Sequence, residues 1–391
     1  MPTLWPCRPN GSVLERLEWQ TDVLEGDDGT EQRRRNREFP RRSFEFDTVL
    51  EGAQRQSAEN LLYGQQASEL YVPVWMDAEP LSAQVNAAAV TIPATTATRD
   101  YQADGLVALI NGDDPRDYEI GTIDTVGGSS LTLYAGVAAT WPATRTLVAP
   151  LRTARLPDSI SMARFTGSAS YGRHRFTCID HSDTTAASET TYRSYPVQET
   201  APNWTTDITQ DYARRTRRVQ SSLSTPVVTD HYSGPVLLQS HRWLCDGRAE
   251  IHALRQWLYA RRGRLSAFWQ PSWALDLTPA APIGASDTTI DVAHCGYTDH
   301  IAQAIGRRDI RIITTAGTVY YRRITLSAEI SATVERLTIS SALGASLAVS
   351  DIAAISFMRL ARLDTDAVEI AWHRWDVAEC TVTTRGIRND L

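Results

Sequence analysis

The sequence repeats a set of short motifs in one order, about half a chain length apart. The tetrapeptide WQTD at 19–22 reappears as WTTD at 204–207. An arginine-dense run follows each copy, RRRNR at 33–37 and RRTRR at 214–218. A four-letter match is weak evidence by itself, so its value depends on whether further elements recur in the same order.

Further elements do recur. Each half has a helix-like stretch ending at a glycine, followed by a P-x-W tripeptide. The step from Gly64 to Trp75 is 11 positions, and that from Gly263 to Trp273 is 10. Such agreement predicts a helix and a following turn in equivalent places of two units.

Two later elements continue the series. The segment LTL at 131–133 corresponds to LTI at 337–339, and RTARL at 152–156 corresponds to RLARL at 359–363. The steps between them are 21 and 22 positions. We therefore predict an internal duplication of a unit of roughly 195 residues. The alternative is coincidence in a chain rich in arginine and threonine.

Composition narrows the class of protein. The 391 residues suffice for two or three domains, and 42% hydrophobic with 22% charged residues indicates a globular chain. A net charge of −7 argues against general binding to nucleic acid or anionic membranes. No stretch approaches the ~20 apolar residues of a membrane span. The first residues lack a secretory pattern, so we expect synthesis and folding in a cytoplasm.

All 39 cationic residues are arginine. Codon bias in a GC-rich genome is one explanation. The other is that the planar, permanently charged guanidinium suits ion pairs across subunit contacts. The five cysteines are widely spaced without a CxxC motif, which favours small buried side chains over disulfides or a four-cysteine zinc site.

The patterns predict a mainly β protein with a few helices (β-rich α+β). We expect a polar N-terminal arm at 1–38, a first unit at 39–180, a linker and loop at 181–235, and a second unit at 236–391. Each unit is predicted as a β-sandwich or sheet with one helix and an inserted small β-barrel. The barrels are expected at about 86–150 and 282–358, with five short strands each.

No motif predicts catalysis. His294, Cys295 and His300 lie close together in HCGYTDH, but a fourth metal ligand is missing nearby and a loop is the better interpretation. The acidic segment NGDDPRDYE lacks the layout of a calcium loop and fits a hairpin turn. The sequence has no nucleophile elbow, HExxH pair, phosphate-binding loop or dinucleotide fingerprint. We predict no catalytic residue, metal or cofactor.

The repeated motifs supply the candidate structural and interface residues. Trp75 and Trp273 follow helix ends beside prolines, and core packing is favoured over an aromatic sugar-binding platform. The arginine runs are interpreted as either subunit contacts or solvated surface. The full set of candidates is Trp19, Asp22, Arg33, Arg34, Arg35, Trp75, Arg152, Arg155, Trp204, Asp207, Arg214, Arg215, Trp273, Arg359 and Arg362.

The opening of the chain contains Trp19-Gln20-Thr21-Asp22, then GTEQR at 29–33, then Pro40-Arg41-Arg42 with Phe44 and Phe46. This series of motifs resembles the start of tail and baseplate proteins of long-tailed bacteriophages. The segment GRLSAFWQPSWALDL at 263–277 resembles a second element of these proteins. Together the matches cover about a third of the chain, and the second copy lacks GTEQR.

This resemblance implies a non-enzymatic structural protein of the virion tail tip, made and assembled in the host cytoplasm. It implies a ring at the distal end of the tail tube that contacts the tube protein and the baseplate hub, with tail fibres or the tape measure as further candidate partners. Two tandem units suggest a trimer with pseudo-six-fold symmetry, with a hexamer as the alternative. The competing functions are a receptor- or carbohydrate-binding module of the same virion and a wall-degrading tail enzyme.

Overall fold

A computed structural model describes residues 2–181, 184, 188–203, 207–220, 222–223, 225–232, 234–301 and 304–388. The strands of the first half are β1 Thr3–Leu4, β2 Val13–Glu18, β3 Thr21–Glu25, β4 Glu31–Arg35, β5 Arg41–Glu51, β6 Leu70–Pro73, β7 Glu79–Pro80, β8 Thr91–Pro93, β9 Leu106–Asn111, β10 Tyr118–Val126, β11 Ser130–Leu133, β12 Thr146–Arg155, β13 Met162–Arg164 and β14 Ala169–Cys178. The remaining strands are β15 Thr191–Tyr192, β16 Tyr195–Pro196, β17 Gln210–Ala213, β18 Thr216–Val219, β19 Val227–Asp230, β20 Val236–Asp246, β21 Phe268–Pro271, β22 Thr289–Ala293, β23 Asp309–Thr314, β24 Val319–Ser331, β25 Val334–Ile339, β26 Ile352–Leu363, β27 Ala367–Trp372 and β28 Val377–Gly386.

The helices are few, as predicted. They are α1 Gly52–Gln65, α2 Arg248–Arg261 and the short α3 Tyr297–His300, with 3-10 turns at Trp75–Asp77 and Val349–Asp351. The prediction of a mainly β chain with a few helices is confirmed. None of the helices in the described part of the chain is long and apolar enough to cross a membrane.

Strand pairing follows the same order in both halves. In the first half β5 pairs with β14, β6 with β12, and β12 leads through β9, β10 and β11 to β8. In the second half β20 pairs with β28, β21 with β26, and β26 leads through β23, β24 and β25 to β22. The helices α1 and α2 follow β5 and β20. This correspondence supports the duplication inferred from the repeated motifs.

Strand β2 joins the two halves in one sheet. It pairs on one side with β5 of the first half and on the other with β27 of the second half. Val13, Glu15 and Leu17 are buried on one face of this strand. The predicted polar N-terminal arm at 1–38 therefore includes a strand, residues 13–18, that lies inside the sheet.

The two halves also share one hydrophobic core. The largest cluster contains Phe44 and Phe176 from the first half together with Trp243, Ile251 and Leu258 from the second. The predicted units at 39–180 and 236–391 therefore share a core and are not packed as two separate domains. Burial of this common apolar surface favours association of the halves.

Each inserted segment has a core of its own. Ile92, Leu109 and Leu131 lie in that of the first insert, and Ile290 and Leu337 lie in that of the second. The prediction of closed barrels was wrong, because the five-strand ladders among the described residues remain open. Strands β12 and β26 continue from the inserts into the main sheet. Bulges bend β10 and β24, so each of these two strands passes from the main sheet into its insert.

The helix ends predicted at two glycines have different outcomes. Gly64 lies inside α1, which ends at Gln65 with Gln66 as a right-handed C-cap, so the predicted end differs by one residue. After α2, Arg262 and Gly263 both have left-handed backbone angles, with φ of 53° and 63°. Gly263 therefore suits the turn that redirects the chain into β21.

Candidate functional site

A buried carboxylate lies where the two halves meet. Glu15 on β2 is fully buried and accepts hydrogen bonds from three side chains of other elements. The Nε of Arg42 lies 2.8 Å away, the Nη2 of Arg255 lies 3.2 Å away, and the indole nitrogen of Trp372 lies 2.9 Å away. These donors come from β5, α2 and β27, so one carboxylate connects both halves.

The ion network extends into the first half. Arg42 also pairs with Asp100, whose carboxylate accepts a hydrogen bond from the Nε of Arg152 at 3.0 Å. A further nitrogen of Arg152 lies 3.8 Å from Asp180. The side chains of Arg42, Asp100 and Arg152 are all buried. Each of the two guanidinium groups, of Arg42 and of Arg152, lies beside the carboxylate of Asp100, which balances their charge.

The helix α2 of the second half reaches a second buried carboxylate of the first half. Arg248 pairs with Asp77, and its Nη1 donates to the carbonyl oxygen of Met76 at 3.0 Å. Arg255 lies 3.9 Å from Asp77 while it bonds Glu15. We name the set Glu15, Arg42, Asp77, Asp100, Arg152, Asp180, Arg248 and Arg255 the junction network.

Charge pairing controls ionisation within the junction network. Burial alone would raise the pKa of Glu15, but the charges of Arg255 and Arg42 outweigh it and lower the pKa. Burial likewise opposes ionisation of Asp100, whose pKa is lowered well below its usual range by Arg42 and Arg152. For Asp180, burial dominates over Arg152 and raises the pKa. Glu15 and Asp100 are therefore structural anions and not proton donors at neutral pH.

A second buried ion pair fixes the β3–β4 hairpin to the second half. The carboxylate of Glu31 accepts two hydrogen bonds from Arg362, at 2.7 Å from Nε and 2.9 Å from Nη2. Tyr232 and Arg385 both contact Glu25 on the same hairpin. The hairpin is therefore held by bidentate pairing, the geometry in which arginine binds a carboxylate best.

Both arginine runs, 33–37 and 214–218, overlap strands of two-stranded hairpins outside the main sheet, β4 and β18. In the first run, Arg33 is partly buried, while Arg34 and Arg35 are exposed. In the second, Arg214 pairs with Asp230 at 2.7 Å and Arg215 pairs with Asp27 at 3.2 Å. The last contact joins the two hairpins. Whether these runs contact other subunits remains a prediction.

The tryptophan candidates contribute to packing. Trp19 is buried, with its ring 5.9 Å edge-on from that of Tyr259 in the second half. Trp75 is half-buried against the shared core. Trp273 is half-buried below the guanidinium of Arg311, 5.1 Å from its ring centre. These positions fit the packing interpretation. Trp204 lies outside the described residues.

The remaining candidates do not form one cluster. Asp22 and Asp207 are exposed, and Arg155 is an exposed partner of Glu69 at 2.9 Å. Arg152 and Arg359, from the repeated R-x-A-R-L motif, are both buried but have different partners. The sequence did not reveal Glu15, Asp77, Asp100 and Arg255. One signal was available in the sequence. On a strand, Glu15 faces the same side as the apolar residues Val13 and Leu17, two positions before and after it.

From the sequence, a loop was preferred to a metal site for His294, Cys295 and His300, and the structure places His294 in a different group. Within the described residues, His294, Asp299 and Glu329 have potential ligand atoms within 4.8 Å of one another. All three are exposed, and His294 is 3.2 Å from Glu329 as an ordinary surface pair. Exposed groups of this kind are common without a metal, so the group assigns no chemistry.

No family model matches the sequence, and no curated protein matches it.

Proposed function

We propose that the chain is a non-enzymatic structural subunit of a phage tail tip or baseplate. In this role it forms a ring at the distal end of the tail tube and connects the tube to hub and fibre proteins. The central support is the joining of two similarly paired halves by β2 and the junction network. One chain then presents two related units to its neighbours in a fixed arrangement.

Such a chain can fill two adjacent positions of a ring. Three copies would give six related units and match a six-fold tube to a three-fold tip, because closed rings repeat one heterologous contact. Six copies would instead place twelve units in the ring or in two layers. We prefer the trimer because three duplicated chains already supply six related units, one for each position of a six-fold tube.

An exposed hairpin offers a contact surface for such a ring. Among the described strands, β18 and β19 pair only with each other, and all eight of their residues are exposed. We name this pair of strands the arginine hairpin. Val219 faces Val227 across the pair, and Arg218 faces Val228. A two-stranded hairpin is marginally stable alone, so packing against a neighbouring subunit would stabilise it.

Cryo-electron microscopy of the assembled full-length chain tests this proposal. A closed ring with three-fold symmetry and six similar lobes is the expected result. Six identical chains would replace the trimer with the hexamer while retaining the structural role. Isolated chains that degrade cell walls, measured by zymography, or that bind glycans without assembling would contradict the structural role.

A further inference from the structure

Arg359, the counterpart of Arg152 in the repeated motif, has no carboxylate partner among the residues that the structure describes. Arg152 pairs with Asp100, whereas Arg359 donates to neutral oxygens of Gln239, Gln270 and Thr384. Arg359 is only 6% exposed. The second half therefore buries a guanidinium whose hydrogen-bond partners carry no negative charge.

One end of this guanidinium is also unsatisfied. The Nη1 of Arg359 is buried without a hydrogen-bond partner among the described residues. Nε and Nη2 are fully engaged, at 3.2 Å from Gln270 and 2.7 Å from Gln239. Since buried donors and buried charges are normally compensated, this end of Arg359 marks a place for an acceptor.

A cleft of about 650 Å³ adjoins Arg359. Its basic lining residues also include Arg214, Arg307 and Arg388, while Asp276 is the single acid among the described lining residues. Asp276 is already engaged by Arg307 at 3.3 Å and by the backbone nitrogen of Phe357 at 2.8 Å. Arg214 is paired with Asp230, and Arg307 is paired with Asp276, whereas the hydrogen-bond partners of Arg359 are neutral oxygens.

The other walls of the cleft are mainly apolar. The apolar lining side chains include Val236, Ile301, Ile305, Phe357, Leu360 and Ile387. One uncompensated guanidinium matches one negative charge, and apolar walls match a hydrocarbon body. A phosphate dianion would require more free donors than the single Nη1 supplies.

We propose that this cleft binds a carboxylate carried on an apolar body, with Arg359 as its counter-ion. Burial lowers the pKa of Arg359 to about 9, and the charge of Arg307 acts in the same direction. A bound carboxylate would reverse both effects by neutralising the buried charge. The carboxylate belongs either to a free organic acid or to a side chain or terminus of a neighbouring subunit.

Calorimetric titration of the full chain with benzoate tests the cleft directly. Benzoate has a single carboxylate on an apolar ring, and benzamide is its neutral control. We expect saturable benzoate binding, no benzamide binding, and at least tenfold weaker benzoate binding by Arg359→Gln. Arg173→Gln removes an exposed arginine that pairs with Glu45 and should bind benzoate as the unmodified chain does.

Absence of saturable benzoate binding, or equal binding by Arg359→Gln and the unmodified chain, would overturn the proposal. If Arg359→Gln does not fold, crystals of the unmodified chain soaked with 4-bromobenzoate provide the second test. The bromine signal should lie in the cleft with the carboxylate beside Nη1 of Arg359. A signal elsewhere, or none, would equally reject the site.

The source of the carboxylate follows from a mass measurement with and without benzoate. If a second copy of the chain supplies the carboxylate, saturating benzoate should lower the oligomer mass. If the ligand is a free organic acid, the mass should stay unchanged while benzoate still binds. Binding does not depend on ring formation, so failure here would leave the proposed tail function untouched.

Discussion

Glu15 on β2 and Arg255 on α2 form a fully buried ion pair, 3.2 Å between Oε1 and Nη2, although 240 positions separate them. The pair connects the N-terminal segment to the helix of the second half. Because Glu15 simultaneously bonds Arg42 of the first half, the two halves depend on one carboxylate. The junction network therefore makes the duplicated chain a single structural body.

Replacement of Glu15 tests this dependence. Glu15→Gln leaves Arg42 and Arg255 buried with one negative charge fewer, and we expect a loss of about 3–5 kcal/mol in the free energy of unfolding. Glu369→Gln is the control, because Glu369 pairs with Arg16 on the surface of the adjoining strand pair. Its loss should be below about 1 kcal/mol. Urea denaturation measures both, and equal losses would contradict the role of the junction network.

The two arginines of the repeated motif should differ in their contribution to stability. Arg152→Met removes a counter-ion of Asp100, so we expect a loss of about 3–5 kcal/mol. Arg359→Met removes a buried charge without a carboxylate partner, and the loss should be smaller by about 2 kcal/mol. Denaturation of both variants under one condition gives the comparison. A larger loss for Arg359→Met would show that its charge is compensated by a group other than those described.

Acid should destabilise the chain before its carboxylates are protonated. Burial lowers the pKa of His174 and His241 from 6.5 to about 4. Between these values the unfolded chain binds protons that the folded chain does not, so stability falls as pH decreases from 6.5 to 4. Each histidine contributes a loss of at most about 3 kcal/mol. The sign follows from the lowered pKa of a basic group in the folded state.

Unfolding free energies at pH 7.0, 5.5 and 4.5 check this dependence. His174→Gln and His241→Gln should each flatten the profile, and the double variant should flatten it most. An unchanged pH profile in the double variant would assign the acid sensitivity to other groups. Thr48 and Gln270, which contact these two imidazole rings, stay in place in both variants.

The arginine hairpin should be needed for assembly but not for folding. Val228→Asp places a charge on an exposed position of this hairpin, so the free energy of unfolding should change by less than about 0.5 kcal/mol. Its oligomer mass should nevertheless fall. Leu326→Asp is the matched control, because Leu326 is similarly exposed on an insert strand. Equal effects of both variants on the mass would exclude the hairpin as the contact.

Alternation and turn residues predicted the strands of both inserts from the sequence. Five short strands were predicted in each insert, and the described residues of the inserts contain β8 to β12 and β22 to β26. Strand β2 escaped prediction because Glu15 and Arg16 interrupt its apolar alternation. Glu15 lies on the buried face only because Arg42, Arg255 and Trp372 satisfy it there.

The candidate site was harder to predict for the same reason. Arg152 and Arg359 were found through the repeated motif, but the motif gives no sign that one has Asp100 beside it and the other has Gln239. These partners come from distant parts of the chain and are set by tertiary packing. The open form of the inserts also depends on distant pairing, because β12 and β26 are shared with the main sheet.

Light scattering of the purified full-length chain over a concentration series tests the proposed ring most directly. The expected mass of the trimer is three times 43.4 kDa, and that of the alternative hexamer is six times 43.4 kDa. The mass should remain constant over a broad range of concentrations, as a closed assembly requires. A chain that stays monomeric at every concentration, including those above 100 µM (roughly the range where weak contacts form), would contradict the ring.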